Sequence, residues 1–270
     1  MDTRTILLDV GGTFIKCSDG RSIPINSDGT REEIASSLSL ALGDAERAAI
    51  AIPGPFDYQN GIFLMKHKFA AVYGERFADL VSPTVIPGLT RNLRFIHDVN
   101  AMLLGETTAG AGLGCSRVAL VTLGTGLGFS MSIDGEILKN EMGSPKVSIF
   151  NRPYRDGILE DYASKRGIIR GFEGITVKGL ADKAKAGDTQ AHARFCEVGG
   201  IIAESIAPIL EEYGIECLLF GGQISRSFEL FGPAVKDGLY EVSSLKYVGP
   251  VSDIDRATFH GLESLLYQLT

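Results

Sequence analysis

Apolar residues fall along this chain in short runs that stop at glycine. Thr5–Val10 (TILLDV) is a β-favouring run closed by Gly11-Gly12, which predicts a buried strand and a tight turn. Phe14–Ser18 and Arg21–Ile25 continue as two more strands about an Asp19-Gly20 hairpin turn. The period then changes. Thr30-Arg31-Glu32-Glu33 has the capping-box pattern, Ile34, Leu38, Ala41 and Leu42 recur at helical spacing, and Gly43 can end the helix. Ala48–Ile52 reads as a strand stopped by Pro53-Gly54-Pro55. Arg94–His97 reads as a strand running into Asp98, and Ala101–Thr108 as a helix ending near Gly110.

The pattern then restarts. Arg117–Thr122 is a strand, Leu123–Gly128 a glycine turn and Phe129–Ile133 a second strand, with Asp134-Gly135 turning into Glu136–Leu138. Helices are expected over roughly 157–166, 177–186, 189–213 and 225–239, with a strand at Glu216–Phe220 ended by Gly221-Gly222. Thr258–Leu269 closes the chain as an amphipathic helix. Strand, glycine turn, strand, strand, helix, strand occurs twice, so the expectation is two similar α/β lobes with a cleft between them. The expected division is 1–105 and 106–255, joined by a hinge near 103–115, with the helix at about 256–270 packing back on the first lobe.

Composition narrows the class. The 270 residues are 44% hydrophobic and 22% charged, an ordinary globular balance. Glycine is in excess, 33 residues, which fits several tight loops or close approaches of backbone to ligand. The net charge of −7 disfavours nucleic acid as a partner, although a local basic patch could bind anionic metabolites. Cys17, Cys115, Cys196 and Cys217 are scattered without a CxxC pair, so they read as buried thiols of a reducing cytoplasm. The first strand begins near Thr5 with no apolar leader, and no run is long enough to span a bilayer. The expected location is therefore cytoplasmic.

The chemistry gathers at three glycine turns that follow strands: Asp9-Val10-Gly11-Gly12-Thr13, Leu123-Gly124-Thr125-Gly126-Leu127-Gly128 and Phe220-Gly221-Gly222-Gln223. Glycine lets backbone N–H groups converge on an anion, and Thr13 and Thr125 add hydroxyls. There is no GxxxxGK[ST], which excludes a P-loop, and Gly124-x-Gly126 precedes a β-run where a dinucleotide fingerprint needs a helix. Asp9, at a strand end beside the first turn, can hold Mg²⁺ directly or through water, or cap the turn. Asp98, at a strand end before a helix, can act as a general base or as the helix N-cap. Lys16 can face phosphate or solvent.

Together these stretches resemble the ROK family of bacterial sugar kinases, within the actin-like ATPase/hexokinase superfamily. LLDVGGTFIK (7–16) is similar to the family's first phosphate loop, and FIHDVNAMLLGE (95–106) to its catalytic-aspartate segment. LVTLGTGLGFSMSIDGEIL (120–138) is similar to the second phosphate loop, and LLFGGQISRS (218–227) to the adenosine-binding stretch. IPGPFDYQNG (52–61) and LEDYASKRGI (159–168) are weaker matches. The resemblance implies an α/β fold of two RNase H-like (actin-like ATPase) lobes that close on ATP, Mg²⁺ and a sugar. It implies Asp98 as the base and Glu141 and Glu160 as sugar ligands; Gly54, His97 and Ser144 are also expected at the substrate, His97 either donating to it or packing in the cleft wall. Gly11, Gly12, Thr13, Gly124, Thr125 and Gly126 would lie on the phosphates, and Gly221 and Gly222 beside adenosine. Homodimers are common in the family, and second-lobe helices could supply the interface.

The departures bear on specificity. His97 stands where the family usually has Asn, and Ser144 where Glu-x-Gly-His places a histidine that binds sugar and zinc. The region 150–158 lacks the family's zinc cysteines, so no structural zinc is expected. His67, flanked by Lys66 and Lys68, occupies the place of a sugar loop and is either a pocket residue or part of an exposed basic loop. The expected function is ATP-dependent phosphorylation of a hexose or hexose derivative at C6, glucokinase-like or N-acetylhexosamine kinase-like. Polyphosphate is a possible alternative donor. The competing readings are a degenerate ROK-like protein that binds sugar or nucleotide and regulates a partner, and a repressor-like sugar sensor. The net charge and the start of the first strand disfavour the sensor.

Overall fold

A computed structural model describes residues 4–81 and 92–267. The described parts of Met1–Thr108, Lys139–Pro145 and Arg256–Thr270 form one unit, and Ala109–Leu138 with Lys146–Asp255 the other. The first unit opens with β1 (Thr5–Val10), β2 (Phe14–Cys17), β3 (Ser22–Pro24), α1 (Arg31–Leu42) and β4 (Arg47–Ile52). It continues with β5 (Phe56–Asp57), β6 (Ile62–Phe63), α2 (Phe77–Leu80), β7 (Leu93–His97) and α3 (Asp98–Ala109). Its main sheet has the order β3-β2-β1-β4-β7. β2 runs antiparallel to β1, whereas β4 and β7 add in parallel. β4 is the middle of the parallel part, covered on both faces, and Ala48–Ile52 are fully buried; hence its unbroken apolar run.

The register positions the site. Asp9 lies opposite Ala51, Ala51 opposite Ile96, and Ile52 opposite His97. The three parallel strands therefore end together, bringing Asp9, Pro53-Gly54 and His97-Asp98 to one edge of the sheet. Open α/β sheets bind ligands at such carboxyl ends. The expected capping box is present: Glu33 N–H donates to Thr30 Oγ1 at 3.3 Å, and Thr30 N–H to Glu33 Oε2 at 2.8 Å. Ile34, Leu38, Ala41 and Leu42 form the buried face of α1. Phe56, Phe63, Phe69 and Phe77 make a buried aromatic cluster around the β5–β6 hairpin, an element the apolar pattern does not announce.

The second unit repeats the plan. It contains β8 (Arg117–Leu123), β9 (Leu127–Ile133), β10 (Glu136–Ile137), β11 (Pro153–Tyr154), β12 (Gly157–Ile158), α4 (Leu159–Ala163) and α5 (Lys165–Ile169). α6 (Val177–Lys185), α7 (Thr189–Tyr213), β13 (Cys217–Gly221), α8 (Phe228–Gly238) and β14 (Tyr247–Pro250) follow. Its sheet order is β10-β9-β8-β13-β14, again an antiparallel meander extended by two parallel strands. Asp188 caps the start of α7, and Gly214 (φ 60°) ends it. Chain order ends with α9 (Ala257–Tyr267), which packs on β1 and β4 of the first unit. A Cβ on Gly261 would collide with the Ala101 carbonyl and one on Gly105 with that of Ala257, so these glycines let α3 and α9 touch backbone to backbone.

Several expectations need correction. The helix expected from residue 157 starts at Leu159, because Arg155 (φ 51°) turns the chain into a β11–β12 hairpin first. β14 is absent from the sequence reading. Phe14, a large apolar residue, is half-exposed: Ile15 and Cys17 take the inward face of β2, and alternation turns Phe14 and Lys16 outward. Cys17 and Cys217 are buried, but Cys115 and Cys196 are partly exposed. Leu269 of the expected last helix lies outside the described residues.

Candidate active site

In the first unit, β1 delivers Asp9 to the sheet edge directly opposite Lys16 of β2. Burial raises the Asp9 carboxyl to about 6, and the Asp98 charge adds to that, while Lys16 offsets part of it. The Gly11–Thr13 turn is tight: Gly11 N–H donates to Phe14 O at 2.9 Å, and a Cβ on Gly11 would stand 3.1 Å from the same oxygen. The carbonyls of Gly12 and Thr13 accept from Ser27 N–H (3.1 Å) and Ile25 N–H (2.9 Å). Among the described residues neither glycine-turn amide, Gly12 or Thr13, donates to a protein acceptor. Such unclaimed amides can receive an anion.

Asp98 opens α3. Its Oδ1 lies 2.7 Å from His97 Nδ1 and accepts from Val99 N–H at 2.8 Å. Burial works to raise its pKa. The charge and hydrogen bond of His97, the Val99 amide and Lys68 outweigh burial and hold it below the usual carboxylate value. Asp98 is thus the first residue of α3 and an ionised group. With Oδ1 engaged, Oδ2 is the oxygen available to a hydroxyl.

The other edge of His97 meets Gly54 and Ser144. A Cβ on Gly54 would lie 3.4 Å from both His97 Nε2 and Ser144 Oγ, so glycine here leaves room for the pair. Segment 139–145 is held to the first unit by Asn100 Nδ2 donating to Gly143 O (3.1 Å) and Tyr58 N–H donating to Met142 O (3.2 Å). Asn140 shapes its turn, its Oδ1 accepting from Met142 and Ser144 amides at 3.0 and 3.1 Å. Ser144 hydrogen-bonds the buried Tyr58 hydroxyl, which donates to Ile52 O at 2.9 Å. Burial and the nearby Asp98 charge push that phenol's pKa up. The structure therefore brings Gly54, His97, Asp98 and Ser144 together. Glu141 is exposed at the turn, and no described hydrogen bond or ion pair joins it to them. His67 is exposed, whereas its neighbour Lys68 is the residue whose charge reaches Asp98. Tyr58, Asn100, Asn140 and Lys68 have no signal in the sequence beyond the basic run at 66–68.

In the second unit, the β8–β9 turn is closed by Gly124 N–H donating to Gly126 O at 3.0 Å. Glu160 braces it: Leu127 N–H donates to Glu160 Oε2 at 2.9 Å, and a Cβ on Gly126 would be 2.8 Å from that oxygen. Arg166 holds the other oxygen at 2.9 Å. Glu160 thus braces the 124–127 turn within its own unit. Thr125 is exposed on the loop. Gly221 lies opposite Thr122 on the neighbouring parallel strand, and Gly222 (φ 82°) packs so closely that a Cβ would strike the Leu123 carbonyl. Beyond these glycines, Ser225, Arg226, Phe228 and Pro250–Ile254 line a groove of about 540 Å³, the size of a small-molecule pocket.

Among the described residues no group of three or more His, Cys, Asp or Glu is arranged to hold a metal ion. Mg²⁺ needs less: it is commonly held by one or two carboxylates together with substrate phosphates and water. Asp9, under-compensated beside a second carboxylate and a glycine turn, fits that pattern. No helix among the described residues is long and apolar enough to cross a membrane.

Two five-stranded sheets of one order, with glycine turns at the strand ends, define an α/β fold of the actin-like ATPase type. The chain belongs to the ROK family, whose model matches residues 4–260. It is 26% identical over 226 residues to a glucokinase of Thermotoga maritima, covering 72% of this chain and 70% of that protein. It is 23% identical to the DNA-binding transcriptional repressor Mlc of Escherichia coli, covering 76% of this chain and 55% of the repressor. Two other curated relatives are matched over about half their length, 51% and 46%. A crystal structure of a ROK family glucokinase from Streptomyces griseus, in complex with glucose and AMPPNP, superposes with a TM-score of 0.77 at 23% identity. That superposition covers 98% of this chain and 99% of the glucokinase.

Proposed function

We propose that the protein is an ATP-dependent sugar kinase that phosphorylates a hexose or hexose derivative at its C6 hydroxyl. The observation that carries this reading is Asp98: ionised, fixed through Oδ1 by His97 and Val99, with Oδ2 free for an acceptor hydroxyl. A carboxylate of lowered pKa is a weak proton acceptor but a strong orienting one. That suits phosphoryl transfer, whose loose transition state needs alignment first and takes up the proton late. His97 Nε2 and Ser144 Oγ, side by side at Gly54, would hydrogen-bond the sugar. In the first unit the amides of Gly12 and Thr13 would bind phosphate oxygens; within the second unit, the Thr125 and Gly126 amides would receive an anion and the groove beyond Gly222 a nucleoside. Asp9 would hold Mg²⁺, directly or through water, and the ion when bound would neutralise phosphate charge.

Several relatives are named as sugar kinases, among them the T. maritima glucokinase, and this supports the reading. The match to Mlc favours a second one, a binding protein with regulatory function. A coupled ADP-release assay over glucose, mannose, fructose, allose, N-acetylglucosamine and N-acetylmannosamine separates them. Sugar-dependent turnover that Asp98→Asn abolishes supports the kinase. Ligand-raised melting temperature without turnover, across wider sugar and donor screens that include polyphosphate, supports the regulator.

A further inference from the structure

Lys68 has no part in the reading above, yet its surroundings single it out. Of the basic run Lys66-His67-Lys68 it alone is partly buried. Its side chain lies along the first glycine turn, with Cε 3.8 Å and Cδ 3.9 Å from the point a Cβ on Gly12 would occupy. The backbone holds it there: Ser27 N–H donates to Gly12 O at 3.1 Å, and Phe69 N–H donates to Ser27 O at 2.7 Å. The turn is thus tied to the residue that follows the lysine. Phe69 is itself left-handed (φ 54°, ψ 27°), fully buried, and packed on Phe63 at 5.6 Å between ring centroids. A bulky residue held in that region is an outlier that the surrounding core must enforce, and such outliers gather at functional sites. Among the described residues no hydrogen bond or ion pair claims the Lys68 ammonium, while its charge acts on Asp98.

We propose that Lys68 is a catalytic residue of phosphoryl transfer, its ammonium contacting the phosphoryl oxygens as the group passes from nucleotide to acceptor. The inference rests on the kinase reading and deepens it. The glycine turn receives the donor's phosphates and Asp98 the acceptor hydroxyl, so a cation along the turn whose charge acts on Asp98 borders the path of the transferred group. Electrostatics require one there. Two carboxylates, Asp9 and Asp98, face this edge, and Lys16 stands opposite Asp9 on the strand outside it. A dianionic phosphoryl group approaching ionised Asp98 needs a second positive charge, and a preplaced one favours the transition state without reorganisation. In the step itself, the acceptor oxygen bonds to the γ-phosphorus while the bond from that phosphorus to the β,γ-bridging oxygen breaks. The electron pair leaves on ADP, and the hydroxyl proton passes to Asp98.

The test uses the full chain with Lys68→Met and Lys68→Arg. With the best acceptor of the panel, Met should lower kcat about 100-fold, leave acceptor KM within about threefold, and be partly rescued by Arg. Calorimetry with AMPPNP and ADP gives an arm that needs no acceptor: Met should weaken AMPPNP about tenfold while ADP binding is unchanged. An unchanged kcat, or a raised acceptor KM at intact kcat, would overturn the proposal and place Lys68 on the acceptor. Equal loss of both nucleotides with a lowered melting temperature would reduce it to a structural role. If wild type turns over no acceptor, the kinase reading fails by itself, and the AMPPNP/ADP ratio still decides whether Lys68 touches the terminal phosphate.

Discussion

The two sheets of this protein share one strand order and differ in what they place at the ends of their strands. In the first unit two of the three parallel strands carry acids at their ends: Asp9 on β1 and, past His97, Asp98 after β7. At the matching position of the second unit, two residues ahead of the glycine turn, β8 carries neutral Thr122, and its parallel neighbour β13 ends at Gly221. The same scaffold therefore presents carboxylates at the strand ends of one copy and glycine-turn backbone at those of the other. Fold repetition alone predicts neither role; the side chains at corresponding strand ends do.

This contrast is open to attack at four points, in descending size of effect. Replacing Asp98 with Asn keeps an oxygen for the Val99 amide but removes the ionised acceptor, and kcat in the coupled assay should fall about 10³-fold. In the second unit the sensitive atoms are backbone. Gly222→Ala puts a Cβ against the Leu123 carbonyl at φ 82°, and chemical denaturation should show a loss of about 3 kcal/mol. The third test uses pH. Because the folded protein holds the Asp9 proton up to about 6, against an ordinary 3.8, this group's stabilising contribution is complete below 3.8 and lost as pH rises through 6. Asp98, with its lowered pKa, acts oppositely: its contribution is present above its ordinary value and lost as pH falls through the lower folded one. Asp9→Asn should therefore stabilise the metal-free protein by about 1–2 kcal/mol at pH 8 and leave it nearly unchanged at pH 4, as read by urea melts at both values. The smallest effect belongs to Gly124→Ala. No atom lies within 4 Å of its added Cβ, and stability should stay within about 0.5 kcal/mol of wild type.

What could be read from the sequence follows the range of the forces involved. Nine of the ten strands of the two main sheets, the Thr30 cap and the glycine turns are local, and short-range patterns announce them; the short hairpins and β14 are not announced. Asp9 and Asp98 could be picked out because each stands where an apolar run stops. Their meeting at one edge depends on parallel register, which pairs residues some forty apart in the chain. Ser144 reaches Gly54, which His97 also flanks, only because Asn100 and Tyr58 hold the 139–145 segment, and neither side chain carries a mark of that duty in its neighbours. Lys68 was hidden for the same reason: its direction is set by the left-handed Phe69 and a contact through Ser27 to a turn far earlier in the chain. Glu160 shows the converse. Its segment was recognisable, but its bond to Leu127 N–H, which braces the loop, appears only in three dimensions.

The most direct test of phosphoryl transfer at Asp98 is ³¹P NMR of the protein with Mg-ATP and each sugar of the panel. A new phosphomonoester resonance, split by two protons of a primary carbon, is expected in wild type and not in Asp98→Asn. Bound nucleotide and sugar with no such resonance for any acceptor, or equal product from the Asn variant, would contradict it.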